Sequence, residues 1–404
     1  MLKVLIHKNI YFISMLGFNI LYLLFATQQE LIFLSYFVIV SQLTRQCAEG
    51  LIQPRVLNNI NSNRDKTTIY ASEILTTLGF ACLTASILAY SLEFNILTIL
   101  STIPIIIIVI LLQPALSELN KDANFQKWNK ILIIPEVLSF LIFMLAHHYE
   151  LKFAIHVKYL SQSGLLLILK FLLKLPFPIM EWKSSEKMKH IRISVITNLL
   201  SKNIDKYIVG IVLLAPDFML YERVVFFFKA LTSVFFQPLN IWVQNRSRKL
   251  KHEHIRSYLN SFMTVSLLIS FVISFILIIL SKQISINGNE VSEKLLRYFI
   301  IILPIFVLAA QVSCTSGFLY ALDKAQIVRD MTLTHFSYSI GLYALAAFWI
   351  NDVYNALLVL FASNFVNYLM VVFFLLKAKI VNSVFALKQT ASTIISVGIL
   401  MWIN

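Results

Sequence analysis

Residues Ile191 to Val243 read IRISVITNLLSKNIDKYIVGIVLLAPDFMLYERVVFFFKALTSVFFQPLNIWV. Two apolar segments are joined by a tight polar turn at Pro216 and Asp217. Lys202, Asp205 and Lys206 nevertheless stand inside the first segment, and Glu222, Arg223 and Lys229 inside the second. A charge deep in a bilayer costs roughly 2.5 to 3.5 kcal/mol on insertion scales. Charges at this density need partners or a water-filled cavity, and they mark the stretch as functional.

The rest of the chain supplies the membrane. Hydrophobic residues make up 58% and charged residues 13% of the 404 positions, mean hydropathy is +0.78, and apolar runs recur along the whole length. This is the composition of an all-α polytopic membrane protein. Lys and Arg number 34 against 20 acids, for a net charge of +14. In a soluble chain that excess would suggest nucleic acid; here the basic residues cluster in short connections, so they set orientation and no nucleic-acid partner is expected. Cys47, Cys82 and Cys314 lie in apolar segments at no metal-ligand spacing and read as packing residues. With 9 glycines in the chain there is no phosphate-binding glycine loop, and no cofactor or metal is expected. The first apolar segment follows Lys3 and Lys8 but lacks a small-residue cleavage site, so it reads as a retained helix.

Spans are expected near Asn9 to Phe25, Leu31 to Leu51, Tyr70 to Tyr90, Asn95 to Leu116, Lys130 to Ala146 and Phe153 to Leu175. A second series runs near Ile191 to Leu214, Phe218 to Val243, Tyr258 to Leu280, Leu295 to Leu322, Met331 to Ile350, Tyr354 to Leu376 and Phe385 to Ile403. The map gives about 12 or 13 transmembrane helices in two six-helix halves around a central cavity. Residues 1–175 form the first half, 176–190 a cytoplasmic linker, 191–377 the second half and 378–404 an extra C-terminal helix. Most of the 34 basic residues fall on one side of this map: Lys3 and Lys8, Arg45 to Lys66, Lys121 to Lys130, Lys170 to Arg192, Arg246 to Arg256, Lys324 with Arg329, and Lys377 to Lys388. The amino terminus is therefore cytoplasmic. Outer connections are all short, which leaves no outer domain to carry catalysis. Glu73 and Glu136 are placed near cytoplasmic ends, where a carboxylate reaches water, and Lys158 on the outer side.

A duplication is suggested by Gln53-Pro54 and Gln237-Pro238 at the end of the second span of each half, and by LNKDA (119–123) against LDKA (322–325) after the fourth. The order of these features, with NIDKYIVGIVLL at Asn203 to Leu214, the turn into Tyr221, and GFLYALDKA at Gly317 to Ala325, resembles the Wzx-type polysaccharide flippases. These belong to the multidrug/oligosaccharidyl-lipid/polysaccharide (MOP) exporter superfamily. The resemblance runs from about Asn9 to Leu376 and is most specific at Asn203, Asp205, Gly210 and Tyr221. A second glycine frequent near Ala215 in relatives is absent. The resemblance implies flipping of a lipid-linked oligosaccharide of undecaprenyl-diphosphate type across the bacterial inner membrane by alternating access, for surface polysaccharide such as O-antigen or capsule. It also implies a polymerase and a ligase as functional neighbours.

The residues can be read without it. At about 100 degrees per residue, Asn198, Lys202, Asp205 and Lys206 share one stripe of the seventh span. Glu222, Lys229 and Ser233 share a face of the eighth. Ser41, Gln42, Arg45, Glu49 and Gln53 form a stripe on the second span, where Arg45 and Glu49 can also meet. Running antiparallel, the seventh and eighth spans would set Asp205 between Arg223 and Lys229. Across these spans the cations Arg45, Lys202, Lys206, Arg223 and Lys229 outnumber the anions Glu49, Asp205 and Glu222, with Asn198, Gln53 and Ser233 as polar wall. A net positive interior suits a diphosphate head group, and the lipid tail can stay among membrane lipids. Asp205 is the candidate coupling carboxylate, for protons or sodium. For each ion pair the competing reading is structural. A multidrug or cation antiporter would need an acidic cavity. A membrane-embedded polymerase or glycosyltransferase would need a larger outer loop or paired outer carboxylates.

Overall fold

The computed structural model describes residues 24–61, 68–94, 96–121, 125–151, 153–175, 179–181, 186–247, 252–283, 290–312 and 325–403, with scattered positions over 10–22 and 315–319. The span expected over 9–25, the motif at 317–325 and LNKDA at 119–123 lie wholly or partly outside these residues. The helices are α1 (Gln28–Asn61), α2 (Ala71–Ser91), α3 (Ile96–Lys121), α4 (Phe125–His148), α5 (Ala154–Leu172), α6 (Glu186–Val212), α7 (Ala215–Ser247), α8 (His252–Gln283), α9 (Glu290–Val312), α10 (Ala325–Ala346), α11 (Val353–Lys377) and α12 (Ser383–Ile403). Among the described residues, seven helical stretches are long and apolar enough to cross a membrane: Gln28–Ile52, Ala71–Ser91, Thr98–Leu119, Gln126–His148, Ser257–Ile279, Val353–Lys377 and Ser383–Ile403. The chain is a multi-pass membrane protein of helical architecture.

Local chemistry fixes many helix ends. Thr27 and Glu30 form a capping box at the start of α1: Thr27 N–H donates to Glu30 Oε2 at 2.7 Å, and Glu30 N–H to Thr27 Oγ1 at 3.3 Å. Asp352 caps α11 by accepting from Asn355 N–H at 2.7 Å, and Asn382 caps α12 by accepting from Phe385 N–H at 2.7 Å. Within the apolar helices hydroxyls bond back to their own backbone, as Ser35 does to Leu31 O at 2.9 Å and Thr44 to Val40 O at 2.7 Å. In lipid an unsatisfied hydroxyl costs several kcal/mol, so this back-bonding is what makes so many Ser and Thr tolerable.

The chain divides into two compact units, Met1–Asn203 with Leu214–Pro216, and Ile204–Leu213 with Asp217–Asn404. In the first unit α1 packs on α2 and α3, α3 on α5, and α5 on α4. Ile105, Leu112, Trp128, Ile131 and Leu166 belong to one of its buried clusters. Two three-residue strands add an element that the hydropathy pattern does not announce: β1 (Thr68–Tyr70) pairs in parallel with β2 (Ile179–Glu181), Thr68 opposite Ile179. They tie the α1–α2 connection to the segment after α5.

In the second unit α9 packs on α8, α11 and α12. Leu259, Leu303, Val307, Tyr368, Leu375 and Leu400 lie in its core. The last helix, short and carrying Lys388, is integrated here. Gln389 donates to Met263 O at 3.0 Å, and Tyr368 donates to Thr393 Oγ1 at 3.3 Å, so α12 is held to α8 and α11 by polar contacts as well as apolar ones.

One local expectation shifts. Pro216 and Asp217 are not a turn but the first turn of α7; the connection is Leu213 and Leu214, between Val212 and Ala215. Proline needs no N–H partner at a helix start, and an aspartate there meets the positive end of the helix dipole, so the pair begins a helix rather than interrupting one. Cys47 is buried as expected, whereas Cys82 is exposed on its helix.

Candidate functional site

The α6–α7 hairpin gathers the charges of the second unit. Lys206 Nζ lies 2.6 Å from Glu222 Oε1, with side chains 1% and 2% exposed. One residue away on each helix, Tyr221 donates its hydroxyl to Asp205 Oδ2 at 3.0 Å. Asp205, Arg223 and Tyr221 are all buried. Tyr343 on α10, also buried, brings its hydroxyl close enough to Asp205, Tyr221 and Ser363 for electrostatic interaction, but in no well-formed hydrogen bond among the described residues.

These two contacts, Tyr221 with Asp205 and Lys206 with Glu222, are ones that the expected placement of Asp205 between Arg223 and Lys229 did not include. The difference follows from the turn. Moving the hairpin centre from Pro216–Asp217 back to Leu213–Leu214 shifts the pairing by six residues, nearly two helical turns, so the partners of Asp205 and Lys206 come from Tyr221 and Glu222. Both contacts span 16 residues. The formal charge of this buried group is balanced: Lys206 and Arg223 against Asp205 and Glu222. Lys229 is half-buried farther along α7. The side chains of Asn198, Lys202 and Ser233 lie outside the described residues.

In the first unit Arg45 and Glu49 meet along α1 at 2.9 Å, as their four-residue spacing predicts, with side chains 24% and 40% exposed. The Arg45 guanidinium stands over the Trp128 ring at 5.3 Å, a contact that pre-orients its planar fork. The Gln53 side chain is outside the described residues. Arg45 and Glu49 offset each other, so the formal cation excess of the sequence comes from Lys202 and Lys229.

Four charged residues, Glu136, Lys158, Lys170 and Glu73, are buried where the sequence placed them near water. Glu136 and Lys158 are not at water-facing ends. They form a buried pair between α4 and α5 at 3.0 Å. Lys170 is likewise buried, in the last turn of α5, where it donates to Leu111 O on α3 at 2.9 Å. Pro114 cannot donate to Ile110 O as a regular α3 would require, and the loosened turn leaves the adjacent Leu111 carbonyl able to accept from Lys170. Glu73 is buried rather than solvated. At the far end of α4, His147 Nδ1 stands 3.2 Å from Glu30, which joins two helix ends instead of leaving the ring in solvent.

No protein-family model matches the chain, and no curated protein matches it in sequence. In fold it is similar to solved transporters. The lipid II flippase MurJ in an inward closed conformation aligns with a TM-score of 0.67 over 99% of this chain and 92% of that chain, at 11% identity. A MOP superfamily transporter from Pyrococcus furiosus aligns with a TM-score of 0.54 over 99% of this chain and 96% of that chain, also at 11% identity. At this identity the likeness establishes a fold shared with these two proteins across nearly the whole chain.

Proposed function

We propose that the chain is a Wzx-type transporter that flips a lipid-linked oligosaccharide repeat unit of undecaprenyl-diphosphate type across the bacterial inner membrane by alternating access. Its product would feed surface polysaccharide assembly, with a polymerase and a ligase acting after it. The observation that carries this reading is the fold shared with a lipid II flippase over 99% of the chain. The solved examples of the fold named above are transporters, which supports a role other than catalysis.

Chemistry on the chain supports the same reading. A diphosphate needs several charge-assisted donors to offset lost hydration. Arg45, partly exposed and held over Trp128, and half-buried Lys229 are the candidates best able to meet one, together with Lys202. Lys206, already neutralised by Glu222, and buried Arg223 act behind them, in the framework that holds Asp205. Asp205 is the proposed coupling group: its protonation would remove one charge from a balanced cluster and so bias one conformation over another.

That balance also favours a second reading. Without a buried cationic excess in the described hairpin, an antiporter of drugs or other cations with this fold is equally compatible with the charges. Complementation separates the two. In a strain lacking its polysaccharide flippase, the wild type should restore surface glycan, and Lys229→Ala should fail at matched membrane abundance. Restored resistance to cationic drugs, with no glycan, would select the antiporter.

A further inference from the structure

Between α4 and α5 of the first unit, the Lys158 ammonium is enclosed by a set of groups that the proposed transport site does not use. Glu136 Oε1 stands 3.0 Å from Nζ. Gln162 Oε1 accepts from Nζ at 3.1 Å, the ring of Tyr159 lies 4.0 Å away and that of Tyr22 5.5 Å. Gln162 also donates from Nε2 to Glu136 Oε2 at 2.6 Å, so both carboxylate oxygens are engaged. Lys158 and Glu136 are 2% and 4% exposed.

One carboxylate, one amide oxygen and two aromatic faces around a single nitrogen are the groups that recognise a small organic ammonium ion. Here the ion is delivered on a side chain. Lys158 enters from α5 one residue before Tyr159 and four before Gln162, so a single helix carries the guest and two of its hosts, and α4 supplies the anion. A carboxylate this deeply buried is strongly destabilising when its partner is removed. A tethered partner removes that risk, because its effective concentration far exceeds that of any free cation.

We infer that this box is an ammonium-binding site whose resident ligand is Lys158, and that it accepts a free alkylammonium ion when that side chain is cut back. The intact protein is then indifferent to cations in the medium at this site, because the tether keeps it filled.

Thermal unfolding of the full-length protein in detergent, at constant ionic strength, tests this with ethylammonium chloride and with tetramethylammonium chloride as the oversized control. Lys158→Ala should lower Tm by on the order of 5–10 °C. Ethylammonium should restore at least half of that loss with saturable dependence, tetramethylammonium should not, and the wild type should respond to neither. Lys158→Ala with Glu136→Gln, which lacks the anion, should also show no response. An equal response of wild type and Lys158→Ala to ethylammonium overturns the inference, as does folded Lys158→Ala that no concentration of it stabilises. Should Lys158→Ala not survive extraction, Lys158→Met with Glu136→Gln decides. Its survival means the single variant failed through the unpaired carboxylate, as the site requires, and its loss overturns the inference.

Discussion

Lys206 and Glu222 form a contact of 2.6 Å between side chains that are 1% and 2% exposed, so neither charge has water to fall back on. Each is tolerable only because of the other. Lys206→Met or Glu222→Leu alone should cost about 3 kcal/mol, the penalty of a stranded buried charge. Lys206→Met combined with Glu222→Leu should come back to within about 1 kcal/mol of the wild type. Denaturant unfolding of the four proteins in mixed micelles measures the cycle. Additive losses would mean that the pair is solvated and its charges independent.

Asp205 is held differently, by the Tyr221 hydroxyl at 3.0 Å. An asparagine at 205 can still accept that hydrogen bond but cannot titrate. Asp205→Asn should therefore reach the membrane at near wild-type abundance while transport loses its response to an imposed proton or sodium gradient. Tyr221→Phe removes a donor to a charged acceptor and should cost about 1.5–3 kcal/mol of stability. Flipping assays in proteoliposomes, with the gradient set and then collapsed, check the first expectation. Gradient-dependent transport by Asp205→Asn would assign coupling to another group.

Four helices end in the same way, and none of the four uses glycine. Glu93, Glu150, Lys174 and Lys379 all adopt left-handed backbone, with φ of 56°, 54°, 50° and 55°. The hydrogen bonds Phe94 N–H to Ala89 O and Glu93 N–H to Tyr90 O, repeated in kind at the other three, are those of the Schellman motif. The following residue is apolar each time, Phe94, Leu151, Leu175 or Ile380, which gives the motif its hydrophobic contact. A side chain in this conformation costs about 1–2 kcal/mol, partly offset by the greater entropy glycine loses on folding. Glu93→Gly should therefore stabilise by about 0.5–1 kcal/mol and raise Tm by about 1–3 °C. Glu93→Val, branched where the backbone tolerates it least, should lower it.

These caps mark the limit of what the sequence discloses. The helices are legible because lipid demands long apolar runs, and the charged hairpin because charge is costly in them. Arg45 with Glu49 is legible because both lie on one helix at a fixed spacing. Contacts between helices are not, since a helical count gives each face but not the depth at which two faces meet. A turn misplaced by three residues is enough to hide Tyr221 as the hydrogen-bond partner of Asp205. Glu136 with Lys158 was hidden for the same reason: a mid-helix carboxylate and a lysine near a helix start carry no mark of each other in one dimension. The left-handed ends had no glycine to announce them.

Gly50 on α1 and Val195 on α6 approach so closely that a Cβ at residue 50 would lie 2.6 Å from Val195 Cγ1 and 3.2 Å from Cγ2. Both belong to the first unit. A β-branched side chain in a helix has essentially one rotamer, so Val195 cannot turn its methyls aside, and the strain must pass to the two backbones. Gly50→Ala should gain a little from helix propensity and lose about 1–3 kcal/mol from overpacking, for a net destabilisation. Val195→Ala in the same chain should remove the clash and leave the helix-propensity gain. The double variant should therefore be more stable than Gly50→Ala, with a coupling of about 1 kcal/mol or more. Thermal unfolding of the two single variants and the double reads the result. A Gly50→Ala protein as stable as the wild type would show that the helices part at this crossing without cost, and the crossing would then be a place where α1 and α6 are free to separate.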